Sequence, residues 1–247
     1  MNERRFFAGL NVGTKIANRN YAFRYAGWYQ DELINAMYNN TFVYQDIRYS
    51  LGDLDWIFPY DYAPARPRYS PGLLTGILLG WKMSPELQVS VEGNFNKLRM
   101  TDVFSIEVID PGNQTSQSLY QLGEIYAEES RFNARFNFDY VNPGDKASFI
   151  MGIHGLFGAW RIDEQVYSFN NILVPVFSVH NPTNGITKKV AGIGWGAGLN
   201  IGVEYRFNQQ IVAQLMYQPH HAQYDFDYEI FKRFRLQHDI LVRILWK

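Results

Sequence analysis

Eight charged residues could share one chemical space. Glu92, Arg131, Arg135, Asp139, Glu204, Arg206, Asp239 and Arg243 all fall on the polar side of alternating stretches, so extended backbone turns them to a common face. Such a set could serve as a selectivity ring or a proton path. It could equally be a structural ion-pair network that neutralises buried charge. His154 has the same parity and is the one histidine expected there, as a base, a ligand or a hydrogen-bonded interior residue. His220 and His221, followed by Asp225, Asp227 and Glu229, supply the donor types of a mixed histidine and carboxylate metal site. Their spacing matches no established motif, and adjacent histidines on extended chain point to opposite sides, so no metal is expected. His238 could act at a lipid-facing site. Its neighbours of equal parity are Leu236 and Ile240, without Ser or Thr, and no triad assembles along that stretch. The sequence has no G-x-S-x-G, no H-E-x-x-H and no P-loop. It also has no cysteine, which removes thiolate nucleophiles, disulfides and Cys-based zinc. No cofactor is expected.

The elements that must position these groups are strands. Period two runs through residues 5–16, 72–82, 87–96, 131–140, 147–160, 193–207, 211–218 and 236–247. In the fourth of these, Phe132, Ala134, Phe136, Phe138 and Tyr140 oppose Arg131, Asn133, Arg135, Asn137 and Asp139. Met83 to Glu86, Asn142 to Asp145 and Asn208 to Gln210 are tight turns. The other connections are long, at about 17–71, 97–130, 161–192 and 219–234. Eight strands with short turns at one end and long loops at the other predict an all-β, eight-stranded antiparallel up-and-down transmembrane β-barrel. Residues 1–247 read as a single domain. Composition agrees: 18 Phe, 17 Tyr, 6 Trp and 20 Gly suit many-stranded β-architecture. A net charge of −1 argues against a general nucleic-acid binder. No run of about 18 apolar residues exists to form a transmembrane helix. The N-terminus lacks an apolar export segment, so the expectation is a mature chain of the bacterial outer membrane.

A soluble lipocalin-like barrel would alternate too, with its apolar face inward. Gly194, Gly196 and Gly198 on successive polar-face positions suit a narrow lumen instead. Trp81, Tyr140, Tyr205, Phe207 and Trp246 gather beside the short-turn end, as an interfacial aromatic girdle does.

With this strand count, this loop alternation and a last strand from Leu236 to Trp246 that looks like a carboxyl-terminal targeting signal, the chain resembles the small eight-stranded outer-membrane barrels of the OmpA-barrel/OmpX-like superfamily. That signal normally ends on Phe or Trp, whereas Lys247 follows Trp246 here. The aromatic-rich loops and Gly-alternating strands are also similar to the PorT-like barrels of the type IX secretion and gliding apparatus. The resemblance implies periplasmic turns, loops at the cell surface and insertion by the barrel-assembly machinery.

The loops carry the remaining signal. Residues 17–71 hold Trp28, Tyr29, Trp56, Phe58 and Tyr60, and the third loop holds an apolar run that includes Phe177. These six are the candidate partner-binding residues, since Trp and Tyr are favoured interface anchors. A loop folded onto the barrel mouth as a cap would explain them as well, and both can hold. Asp31 to Met37 could form a short helix, and Asn170-Asn171 a surface hairpin turn. The leading functional reading is a non-catalytic structural or partner-binding subunit of an outer-membrane or secretion assembly. A stand-alone surface adhesin or ligand-binding barrel is the alternative, and a lipid-modifying enzyme comes third. The expected surroundings are outer-membrane lipid, lipopolysaccharide and other surface proteins, with no nucleic acid.

Overall fold

A computed structural model describes residues 5–28, 31–112, 118–142, 144–176, 190–226 and 232–246. Eight long strands pair in sequence and close on themselves. They are β1 (Phe6–Ile16), β4 (Gly72–Lys82), β5 (Leu87–Ile109), β6 (Leu119–Asn142), β7 (Ala147–Phe169), β9 (Ala191–Arg206), β10 (Ile211–Tyr224) and β11 (Arg235–Trp246). Each is antiparallel to its neighbours, and β1 pairs with β11 from Ala8 opposite Trp246 to Ile16 opposite His238, which closes the ring. The short turns follow ordinary chemistry. Ser84 Oγ accepts from the amides of Glu86 and Leu87, and Asn208 Oδ1 from those of Gln210 and Ile211.

Burial settles which solvent the outer wall meets. Phe136 is 64% exposed while Arg135, beside it in sequence, is 0% exposed. Phe132, Phe138, Val203, Ile240 and Val242 also face outward, with Ile201 half-exposed, whereas Arg131, Glu204 and Arg243 are buried inside. Apolar outside and charged inside is the arrangement that a bilayer rewards and water does not. Phe6, Trp81, Tyr140, Tyr205, Phe207 and Trp246 ring the turn end, all exposed.

Two regions expected as loops are largely strand. β5 runs on to Ile109 and β6 begins at Leu119, so the 97–130 segment is a tall hairpin above the wall. β7 likewise continues to Phe169 and folds back through Asn170 and Asn171, at φ 45° and 68°, into β8 (Ile172–Pro175). The cause is a reversal of apolar parity. Below Asn96 the odd positions of β5 are apolar and face lipid. Above it Leu98, Met100, Phe104, Ile106 and Val108 are apolar, even-numbered and buried, while Lys97, Arg99 and Thr101 face out. The outer surface changes from lipid to water at that height, and the strand does not.

The inner face of this upper wall seats the first connection. It contains α1 (Arg19–Ala22), a 3-10 turn (Phe23–Tyr25), α2 (Glu32–Met37) and α3 (Thr41–Ser50). Two short strands follow, β2 (Asp55–Ile57) and β3 (Tyr69–Ser70), both paired to β5. Tyr21, Leu33, Met37, Ile47, Trp56 and Tyr69 share one buried cluster with Phe104, Ile125, Tyr167 and Tyr224 of the ring.

Candidate functional site

The lumen is filled by its own side chains. At the turn end Phe7, Leu78, Val212 and Leu245 form an apolar plug, and Phe7 needs Gly80 opposite, where a Cβ would sit 2.1 Å from the ring. Leu74, Val141, Ile150, Met216 and Leu241 form a second apolar cluster. The charged residues make a network through the middle of the barrel. Glu92 accepts from Arg243 and Asn94, with Arg135 3.7 Å away. Arg135 also donates to Asp239, which lies 3.3 Å from Lys15 Nζ. Asn200 Nδ2 donates to Asp139 at 2.6 Å, and Gln214 Nε2 to Glu204 at 3.0 Å. Each of these carboxylates has a donor, which offsets the large cost of burying charge. An eight-stranded ring leaves an interior just wide enough for such packing.

His154 lies in this network, its Nδ1 2.8 Å from Asn200 Oδ1. It is not the one lumen histidine: His220 is fully buried there too, 3.3 Å from Lys15 Nζ, with its ring 5.9 Å from that of His154. Parity fixed this, since His220 follows Gln214 and Gln218 on the inward face of β10 and His221 points out. Gly198 leaves room for the pair; a Cβ there would lie 2.6 Å from His220 Cβ and 2.7 Å from His154 Cε1. Asp225 pairs with Lys232 at 3.1 Å, while Asp227 and Glu229 lie outside the described residues. Among the described residues no three His, Asp or Glu side chains converge as a metal site would require.

The loop end is latched by a buried carboxylate. Tyr25 and Tyr69 each donate a hydroxyl to Glu129 Oε2 at 2.8 Å, and Glu129 also accepts from Arg131. The Arg131 guanidinium lies over the rings of Tyr224, Tyr21 and Tyr69, at 4.4, 5.4 and 5.7 Å from their centroids. Burial, reinforced by the Glu129 carboxylate, holds the Tyr25 and Tyr69 hydroxyls protonated well above the ordinary tyrosine range. A second anchor is Glu32, which accepts from Arg24 at 3.1 Å, Gln165 at 3.1 Å and Tyr167 at 3.3 Å. The first connection is therefore a cap bonded to β6 and β7. Its α3 lies beside β8, with Asn170 Nδ2 3.4 Å from Ser50 Oγ.

The six candidate partner-binding residues separate. Trp56 is 0% exposed, stacked on Tyr44 and edge-on to Phe58, so it is cap core and cannot touch a partner while the cap is folded. Phe58 is half-buried against Tyr62. Trp28 is 41% exposed; it donates to Pro64 O at 3.2 Å and packs on Tyr62. Tyr60 is almost wholly exposed. Tyr29 and Phe177 lie outside the described residues. The sequence reading missed Phe42 and Tyr49, both well exposed. Seven residues apart on α3, they share one face of the helix, and Asn40 caps it by accepting from the amides of Phe42 and Val43. That spacing was the available signal.

On the lipid-facing wall His238 has a partner on the neighbouring strand. Tyr217 Oη lies 2.8 Å from His238 Nδ1, with the two rings parallel within 5°. The Thr14 hydroxyl nearby on β1 donates to Gly72 O, which turns it away from a nucleophile's role. A recess at the turn end, lined by residues such as Lys82, Glu86, Glu204 and Arg206, has room for about one water molecule and is no ligand pocket of ordinary size.

No family model matches the chain, and no protein of curated function does. Among solved structures it is similar to Neisserial surface protein A, at 9% identity over 98% of this chain and 96% of that one, with a TM-score of 0.50. Ail, the attachment invasion locus protein of Yersinia pestis, solved with the heparin analogue sucrose octasulfate, aligns at 9% identity over 99% of this chain and 100% of its own. Its TM-score is 0.36. With a closed ring of eight antiparallel strands, an apolar outer wall and a charged interior, the fold is that of an eight-stranded transmembrane β-barrel of the outer-membrane type.

Proposed function

We propose that the protein is a non-catalytic barrel of the bacterial outer membrane, turns toward the periplasm, whose cap docks another protein of a surface or secretion assembly. One observation carries this reading. A cap bonded rigidly to the barrel leaves Phe42, Tyr49 and Tyr60 exposed on its outer side. Large aromatic side chains left in water on a rigid mount are what a partner's pockets bury most profitably. The filled lumen and the lack of an acid or serine beside His238 support a role without catalysis.

The triple variant F42A/Y49A/Y60A should insert and fold as the unaltered chain does, yet lose stoichiometric partners when purified from native membranes. Full retention of those partners by the folded variant would move the docking surface elsewhere. A stand-alone surface adhesin is the second reading, favoured by the fold likeness to a protein whose name places it at the cell surface. That reading expects the barrel to purify alone. An enzyme acting on membrane lipid would instead be revealed by an altered lipid profile in a deletion strain.

A further inference from the structure

The tall hairpin of β5 and β6 is apolar on both faces. Through Val103, Phe104, Ile106, Val108 and Ile109 the alternation of β5 all but disappears, which is the pattern of a strand covered on two sides. The inner side is covered: Phe104 and Ile106 are buried in one cluster with the cap. The outer side is not. Val103 and Ile109 of β5 and Tyr120 and Leu122 of β6 all stand exposed there, Leu122 at 67%. Val103 lies in one cross-strand row with Glu124, Ser168 and Leu173, the last 68% exposed on β8. An exposed apolar surface of this extent on a sheet marks a contact.

This face is not a continuation of the lipid-facing wall. Between Phe95 and Val103 the outward positions of β5 are Lys97, Arg99 and Thr101, a polar belt that ends the apolar band below it. Above the belt the sign of the charge changes. Residues 101–130 and 162–176 contain no Lys or Arg. Glu107 and Glu124 stand among the apolar side chains, and among the described residues neither has an ion-pair partner. Cations appear at the margins alone: Arg48 lies 3.3 Å from Asp55 of β2, and Arg68 precedes β3 at the level of Thr101. Two constraints then identify the occupant. These strands prolong the barrel wall, so their outer face looks sideways over the bilayer, and whatever covers it stands beside the barrel. Apolar contacts framed by unpaired carboxylates fit a partner with a basic rim. A second copy in a two-fold contact would set these carboxylates against themselves, and phosphate-bearing headgroups would meet the same repulsion.

We propose that the outer face of the β5–β6 hairpin, extended by Leu173, seats a second membrane-anchored protein that stands beside the barrel and presents a basic, apolar-studded surface. Leu122 and Leu173 supply the apolar contacts, and Glu107 and Glu124 select the charge of the partner. The inference rests on the outer-membrane placement above and adds a lateral contact to the one proposed on α3.

The test places photoreactive benzoylphenylalanine in place of Leu122 in the full chain and irradiates native outer membranes. A discrete protein adduct should form, and the peptide joined to the probe should be rich in Lys or Arg and belong to a protein with its own membrane anchor. E107K/E124K should lower the yield of that adduct at least about tenfold in a barrel that stays heat-modifiable, because like charges then meet across the contact. No adduct from the folded chain overturns the proposal. So does an adduct with a second copy, with lipid or with an acidic peptide, or an undiminished yield from the folded E107K/E124K chain. The same probe in place of Phe42 reads the cap separately. Adducts at Phe42 with none at Leu122 overturn this inference and leave the cap reading standing, whereas adducts at Leu122 alone support it and overturn the cap reading.

Discussion

Val203 and Glu204 are adjacent in sequence and live in different solvents, one against lipid at mid-wall and the other bonded to Gln214 inside. Nothing but strand parity separates them, so a charge at the first position has no route to a partner. Val203→Arg should cost about 2–4 kcal/mol of folding stability, measured by urea titration of the barrel refolded in vesicles. A loss within error of zero would mean that this face does not contact lipid. Parity also explains which single residues could be read from the chain. Arg131, Arg135 and Arg243 were assignable to the lumen from alternation alone. Their actual partners were not, since Arg243 meets Glu92 across 151 positions of sequence. Lys15 falls on the polar side of its stretch by the same rule, and His220 obeys it too, but one histidine in a polar row carries no label.

The upper halves of β5, β6 and β7 show the limit of reading by period. Alternation persists through Lys97 to Val108, yet its apolar phase flips at the boundary between lipid and water, and a search for one continuous apolar face stops there. The helices of the cap were harder still. Glu32–Met37 was visible as a short acidic-led stretch, whereas Thr41–Ser50 holds an inward Ile47 and an outward Phe42 and Tyr49, which blurs any apolar stripe. At this scale the Tyr25–Glu129–Tyr69 latch has a pH signature. Both hydroxyls have raised values in the folded protein, so their contribution is complete below the ordinary tyrosine value of 10 and is lost as pH rises through the raised folded values. Alkaline titration followed by tyrosinate absorbance should show a late class of tyrosines that ionise as the cap releases. Replacing Glu129 by Gln should shift that class earlier. A single titration near 10, identical in both chains, would show that the latch is not formed.

Seen whole, the molecule is closed at both ends: apolar side chains fill the turn end, paired charges the middle and aromatic rings the loop end. In planar bilayers the folded chain should therefore give no unitary current steps above the protein-free background. Discrete steps from heat-modifiable, folded barrel would require a water-filled route that this packing excludes. The cap also imposes an order in time. Its aromatics belong to the first connection, but the surfaces that receive them come much later: Tyr21 donates its hydroxyl to the carbonyl of Ala222, 201 residues away, and Glu32 waits for Tyr167. During biogenesis the aromatic-rich first connection cannot finish seating until the tenth strand is in place. The same late seating makes a finished cap a certificate that the strands have been delivered.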